Sequence, residues 1–523
     1  MQHHVNRRQF LGIGPAAALG ATLAGMAVQG APVPKQSAAD LAFATAAEAA
    51  RAIRRGDVSS AELTELMLGR IETHNGKINA VVTVTADLAR KMAKAADEAL
   101  ARGEWWGPFH GVPWIVKDTY EVAGEKTTAG CAEMAGYIST IDAVTVTRMH
   151  RSGAICIGKS NVPLFAADMQ TFNKVFGTTN NPWDAARTPG GSTGGGAAAL
   201  AAGFGYVALG SDIGGSIRNP SNFCGVYGHK PTYGLVPTRG ELASLPGEQP
   251  YPPDLLSVSG PLARSAADLL TMLDVMGGPD DPDAVAYSWK MPQPRGARLR
   301  DFRVGYVLDD PRCPVCPEVK AKLAEAVEAL RGAGVQLEEG WPEGIDPQAQ
   351  YETYAYLLLS SYAERMPEED FQKMRPLAKG KSANLLVMRA KAFTNPHADF
   401  VAACRDQMIH RGAWQAYFKT HDAFLLPTAF TTAFEHVQTE PLEMRSIATS
   451  LGTRAYTDLL YYISFATMTG CPATVAPLGL ANNNLPVGIQ IMGPYLEDAT
   501  PIAFAGHLAE VYGGFSVPPG YEV

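Results

Sequence analysis

Two short stretches could do chemistry with a hydroxyl. GGSTGGG, residues 190–196, centres on Ser192, and DIGGSIRNP, which begins with Asp212, presents Ser216 twenty-four positions later. A serine set among glycines suits attack on a carbonyl, because residues without a Cβ let substrate and backbone N–H groups approach closely. The residues alone admit three readings. The first is a dinucleotide loop, since GGGAAALAAG opens a small-residue helix and Asp212 follows about twenty residues on, as a ribose-binding acid would. That loop needs a strand running straight into the glycines, whereas NPWDAARTPGG supplies proline, tryptophan and charge. The second is a hydrolase nucleophile elbow, which Gly190-Gly191-Ser192-Thr193-Gly194 satisfies as a pattern. It lacks the same strand, and none of His229, His397, His410, His421, His436 and His507 is singled out as its partner. The third is a pair of tight turns that pack backbone closely.

The elements that must position these serines are legible around them. GVPWIVKDTY is an apolar, β-branched and aromatic run that reads as a strand, with Ile115 and Lys117 on one face and Val116 and Asp118 on the other. Burial lowers a lysine pKa from about 10.4 by up to several units when no counter-ion is at hand, so PWIVK is a setting for a neutral amine. Asp118, on the opposite face, is read as structural. Ser59 and Glu62 form a capping box before a helix with Leu63, Leu66, Met67 and Ile71 on one stripe and a stop at Asn75-Gly76. A helical stretch near 143–152 precedes the strand GAICIG, and FRVGYVLDD, PEVKAKLAEAVEALRGAG and VQLEEG make a β-α-β unit with Val319, Leu323, Val327 and Leu330 inward. LPGEQPYPPD and GGPDDPDAVAYSWKMPQPRGA read as loops leaving one core. Residues 343–420 are helical in character and carry Tyr351, Tyr354, Tyr356, Tyr362 and Trp414, an aromatic group suited to a core with a part lining a pocket.

Composition narrows the class. The 523 residues are 46% apolar and 18% charged, with 52 glycines and a net charge of −8, a soluble globular balance without the basic field that tracks nucleic acid. The start pairs Arg7-Arg8, then Phe10-Leu11, then an apolar run broken by Gly12, Gly14 and Pro15. This resembles a twin-arginine export signal over residues 1–31, cleaved between about residues 27 and 39, and places the mature chain in the periplasm or outside the cell. No later segment is long and apolar enough to span a membrane. Of seven cysteines, Cys313 and Cys316 are the only close pair, read as a local disulfide or two free thiols rather than half of a metal site, and the others as core residues.

The serines and the lysine belong to one longer pattern. The run from GPFHGVPWIVKDTYEVAG through GKSNVPLFAADMQTFNKVFGTTNNPWDAARTPGGSTGGGAAALAAG to VALGSDIGGSIRNPSNFCGVYGHKPTYG resembles the amidase signature family of serine hydrolases. DAFLLPTA, ISFATMTGCPATVAPLG and LPVGIQIMGP continue the likeness, which spans roughly residue 40 to the C-terminus. The resemblance implies one large α/β domain over residues 40–523, with a mixed, mostly parallel central sheet covered by helices on both faces and a variable helical substrate-binding region around 343–420. It implies a Ser-cisSer-Lys triad: Ser216 as nucleophile, Ser192 as the bridging serine on a cis bond from Gly191, and Lys117 as base. The N–H groups of Ile213, Gly214, Gly215 and Ser216 would form the oxyanion hole. Thr193 stands where the family commonly has serine, Leu164 where it is often acidic, and His229 where it is often apolar and is read as a satisfied structural residue. Gly191, Thr193 and Asp212 are read as supporting, and Arg218 as either orienting an acidic substrate group or closing an internal ion pair. The implied activity is hydrolysis of a carboxylic amide to acid plus ammonia or amine through an acyl-enzyme, with esterase activity beside it. No metal or cofactor is implied; the partner is a small-molecule amide, with no nucleic acid and no membrane after signal removal, and the protein is a monomer or homodimer. The same fold serves as the amidase-type subunit of a tRNA-dependent amidotransferase, which the export signal argues against. An exported binding protein without catalysis is disfavoured by the intact Lys117, Ser192 and Ser216.

Overall fold

The β-α-β unit of the sequence sets the architecture at one edge. The strand Arg303–Tyr306, the helix Pro317–Gly332 and the strand Gln336–Glu339 fold back so that the two strands pair in parallel, with Val319, Leu323, Val327 and Leu330 buried beneath the helix. In this computed structural model the described residues are 36–242, 255–363, 367–380, 385–439 and 441–523. The proposed export signal and the loop LPGEQPYPPD lie outside them.

In chain order the strands are β1 (Val81–Val84), β2 (Pro113–Lys117), β3 (Ile155–Ser160), β4 (Phe172–Asn173), β5 (Gly177–Thr178), β6 (Val207–Asp212), β7 (Tyr227–Lys230) and β8 (Val258–Ala263). They continue as β9 (Arg303–Tyr306), β10 (Gln336–Glu339), β11 (Ala423–Pro427), β12 (Ser446–Thr449), β13 (Gly452–Ala455), β14 (Ala473–Leu480) and β15 (Pro486–Met492). β4–β5 and β12–β13 are two-stranded ribbons; the others form one sheet in the order β1-β3-β2-β6-β8-β7-β14-β15-β11-β9-β10. The single α/β domain and the mixed sheet agree with expectation. Parallel pairing is concentrated in two blocks, β3-β2-β6 and β11-β9-β10, and the strands between and beside them pair antiparallel. "Mostly parallel" therefore describes each block and not the sheet as a whole. Every residue of β2, β3 and β6 is buried, as befits strands covered on both faces.

The Ser59–Glu62 capping box forms as read, and Leu63, Met67 and Ile71 are buried with Leu66 at the edge of the stripe. The helix does not stop at Asn75-Gly76. It runs to Ile78 and ends on Asn79 in the left-handed region, while the Asn75 side chain accepts from Ala80 N–H and Val81 N–H and so ties the helix to β1. The region after residue 343 holds the helices Pro347–Ser360, Glu368–Met374, Leu385–Thr394 and His397–Tyr417. Tyr354 and Trp414 are fully buried there. The cysteines are free thiols, Cys313 and Cys316 included, and all but Cys404 are buried. Among the described residues no helix is long and apolar enough to cross a membrane.

Candidate active site

The site is built where β2 and β6, parallel neighbours, end together. Lys117 is the last residue of β2, and Ser211 and Asp212 close β6. Alternation along β2 separates two charges that are adjacent in sequence. Lys117 Nζ lies 2.8 Å from Ser192 Oγ and 2.7 Å from Ser211 Oγ. Asp118 turns the other way, accepts from the Thr128 hydroxyl at 2.5 Å and faces Lys159 Nζ at 3.2 Å. The reading of Asp118 as structural holds.

The glycine collar is a set of close backbone contacts. A Cβ on Gly191 would sit 2.5 Å from the Gln170 carbonyl oxygen, and one on Gly195 would sit 2.5 Å from the Asn161 nitrogen. Neither position has room for a side chain. The Gly191–Ser192 peptide bond is cis. Thr193 N–H donates to the Ser216 carbonyl at 3.0 Å, which locks the first serine loop to the second. The extra methyl of Thr193 packs against Gly210, where a Cβ would come within 2.7 Å of it. Ser192 is 1% exposed and Ser216 5%, so protein encloses both hydroxyls almost completely. The hydrogen bonds of this arrangement join Lys117 to Ser192, and none joins Ser192 Oγ to Ser216 Oγ among the described residues.

Asp212 shapes the loop that follows. Its carboxylate accepts from the N–H groups of Gly215 (3.1 Å), Ile217 (3.1 Å) and Arg218 (3.3 Å), wrapping residues 213–217 around one anion. This corrects one expectation: the Gly215 N–H is spent on Asp212 and does not point at a substrate oxyanion. Among the described residues the N–H groups of Ile213, Gly214 and Ser216 donate to no protein acceptor, and they are the donors the loop leaves open. Arg218 is also corrected as a substrate-binding candidate. The guanidinium has five donors and all are used: on both Asp212 oxygens, the Ile463 carbonyl, Gln490 Oε1 and Thr467 Oγ1. Fully buried, it is the internal ion pair of the two readings.

Burial lowers the Lys117 pKa from 10.5 to about 8, against the opposing pull of Glu241 and then Asp212. Asp212 is itself paired with Arg218 at 2.7 Å. Glu241 comes from a distant segment held across the end of β2, where Glu121 N–H donates to the Gly240 carbonyl (2.9 Å) and Leu242 N–H to the Thr119 carbonyl (2.6 Å). Its carboxyl accepts from Thr119 Oγ1 at 3.4 Å, and removal from water pushes its own pKa up. Sequence reading missed Ser211 and Glu241. For Ser211 a signal was available, because it directly precedes Asp212 at the end of the strand-like run VALGSD. Glu241 reaches the site by tertiary packing alone. Tyr354, noted only as one of an aromatic group, donates to the Ile213 carbonyl at 2.9 Å and braces the open loop. His229 is satisfied, with Thr474 Oγ1 at 2.9 Å and Asp498 Oδ1 at 3.1 Å. Leu164 lies 52% exposed in a short turn.

The fold and this constellation define an α/β enzyme scaffold with a serine–lysine centre, and comparison with known proteins gives its family. The Amidase family model matches residues 62–501, and the chain belongs to that family. The chain is 33% identical over 490 residues to the A subunit of the glutamyl-tRNA(Gln) amidotransferase of Moorella thermoacetica, covering 88% of this chain and 95% of that one. Among solved structures it is similar to the A subunit of the glutamyl-tRNA(Gln) amidotransferase of Thermotoga maritima, with a TM-score of 0.72, 25% identity, and coverage of 92% of this chain and 98% of that one. A 6-aminohexanoate cyclic dimer hydrolase complexed with substrate matches with a TM-score of 0.72 and 25% identity, over 92% of this chain and 100% of the other.

Proposed function

We propose that the protein is an amidase that hydrolyses a carboxylic amide to the acid plus ammonia or amine, with Ser216 as nucleophile, Ser192 as relay and Lys117 as base. The observation that carries the reading is Lys117 Nζ at 2.8 Å from Ser192 Oγ, in a dry setting that brings the amine to a pKa of about 8. A neutral lysine accepts the Ser192 proton as Ser192 accepts that of Ser216, and Ser216 Oγ adds to the carbonyl. The developing oxyanion faces the N–H groups of Ile213, Gly214 and Ser216. As the C–N bond breaks, the proton returns through Ser192 to the leaving nitrogen. Water then retraces the path to free the acid and regenerate Ser216. The Ser192–Ser216 contact belongs to the substrate-bound state, where catalytic hydrogen bonds tighten.

A fluorophosphonate probe tests this directly. Labelling of the purified protein that disappears in Ser216→Ala, together with acid release from a panel of amides, supports the reading; no labelling and no turnover would end it.

The similarity to amidotransferase subunits favours a second reading, release of ammonia to a partner. Arg7-Arg8 and the apolar run after it support export, which would part the protein from cytoplasmic tRNA. Fractionation of cells carrying the intact chain or an Arg7→Lys, Arg8→Lys chain tests the export. Ammonia production from glutamine only in the presence of a co-purifying protein would favour the second reading.

A further inference from the structure

The loop that presents Ser192 is closed by a hydroxyl from another part of the chain. Thr171 Oγ1 donates to the Gly190 carbonyl at 2.8 Å and accepts from the Gly194 N–H at 3.2 Å, so one side chain joins the two ends of the loop whose middle is Ser192. It is 1% exposed. A Cβ on Gly194 would stand 2.3 Å from this hydroxyl, so that position has no room for one. Gly194 also opens the helix Gly194–Ala201, and the first N–H groups of a helix need acceptors from outside it. The residue before a helix commonly supplies one, but Thr193 makes no cap bond, and its hydroxyl turns to the Ser211 carbonyl at 3.4 Å. Thr171 provides the acceptor from 23 positions away.

Thr171 acts from a fixed base. Its carbonyl accepts from the Thr179 N–H at 2.9 Å, next to the β4–β5 ribbon. The Gln170 side chain before it bonds both the N–H and the carbonyl of Val437. A loop rich in glycine has more backbone freedom than other sequences, so its shape depends on bonds made to it. Bridging a carbonyl and an N–H takes a group that both donates and accepts, which a hydroxyl does. We infer that Thr171 is a positioning residue for catalysis: its hydroxyl clasps the Gly190–Gly194 loop and thereby holds Ser192 Oγ at its 2.8 Å contact with Lys117. It acts through Ser192 and not on the reacting atoms. The inference rests on Ser192 being the relay.

The test measures kcat and KM on the full chain, with the amide that the wild type hydrolyses fastest, in wild type, Thr171→Val, Thr171→Cys and Thr171→Ser. Valine keeps the size and branching of threonine and loses the hydroxyl. Thr171→Val is expected to lower kcat by about ten- to a hundredfold, since a misplacement of about 1 Å in a reacting group costs up to that much. KM should change little, and fluorophosphonate labelling of Ser216 should slow in step with kcat. Thr171→Ser, which keeps donor and acceptor, returns kcat nearly to the wild-type value. Thr171→Cys, a weak donor and acceptor in the same place, falls between them and carries the test if the valine protein does not fold. Thr85→Val controls for loss of a buried hydroxyl elsewhere: Thr85 Oγ1 donates to the Cys156 carbonyl at 2.9 Å, and its removal should leave kcat unchanged.

A valine or cysteine variant with the kcat and labelling rate of the serine variant would overturn the inference and leave the amidase reading standing. So would a serine variant as impaired as the valine one, or an equal loss of kcat in Thr85→Val. A wild type that neither labels at Ser216 nor hydrolyses any amide overturns both.

Discussion

Two buried lysines are both made more acidic by burial, and their prospects differ. Lys117 and Lys230 are each fully enclosed, and burial brings each from 10.5 to about 8. Lys117 touches two serine hydroxyls beside the glycine loops. Lys230, at the end of β7, donates to the Pro231 carbonyl at 2.7 Å and sits in the field of Arg218, Asp212 and Asp498. A lowered pKa makes an amine available as a base, but a base also needs a proton within reach, and a carbonyl has none to give. The two sites differ in contact first: a hydroxyl with a proton to give lies at Lys117, and a carbonyl lies at Lys230. A third lysine completes the contrast: Lys159, on the strand beside β2, is equally buried but faces Asp118 at 3.2 Å and is held as an ion pair.

The comparison can be broken most sharply by removing the proposed reacting groups. Ser216→Ala and Lys117→Ala should each lower kcat by about 10⁴-fold or more, as for members of other serine-hydrolase units, with the fold intact by circular dichroism. Lys230→Met should leave kcat/KM on the same amide unchanged, and a loss equal to that of Lys117→Ala would mean that burial alone made the base. Next in size, Arg218→Met leaves Asp212 as an uncompensated buried anion and should cost about 3–5 kcal/mol in denaturant unfolding, with activity lost as the loop at 213–217 loosens.

The pH profile sharpens the same point. As the proposed base Lys117 must be neutral to act, so kcat/KM should rise with pH through about 8 and level off above it. Glu241 favours the protonated amine, so Glu241→Gln should move that limb to lower pH; a limb that stays in place would show that the carboxyl does not act on Lys117. The smallest effect is expected at Thr193, where Thr193→Ser removes one buried methyl for about 1 kcal/mol of stability and keeps the backbone bond to Ser216. Thermal unfolding beside turnover would measure it.

Much of this was legible in the sequence because it is local. The Ser59–Glu62 box, the inward stripe of the helix after β9 and the alternation that parts Lys117 from Asp118 depend on spacing along a few residues, and they appear as read. Misreadings arose where backbone groups choose among competing partners. Asn75-Gly76 looked like a stop, yet the Asn75 side chain bonds the start of β1 and the helix continues to Ile78. Gly215 looked like an oxyanion donor, yet its N–H turns to Asp212.

By itself the sequence determined which residues are candidates for the chemistry and which crowded positions are glycine, since serine, lysine and the absence of a Cβ are properties of single residues. Only the tertiary structure decided which polar groups meet. It brought Glu241 to Lys117 and saturated Arg218 with Ile463, Thr467 and Gln490, because these outcomes depend on distances between segments far apart in the chain, and a hydrogen bond or a charge interaction exists only once those distances are set.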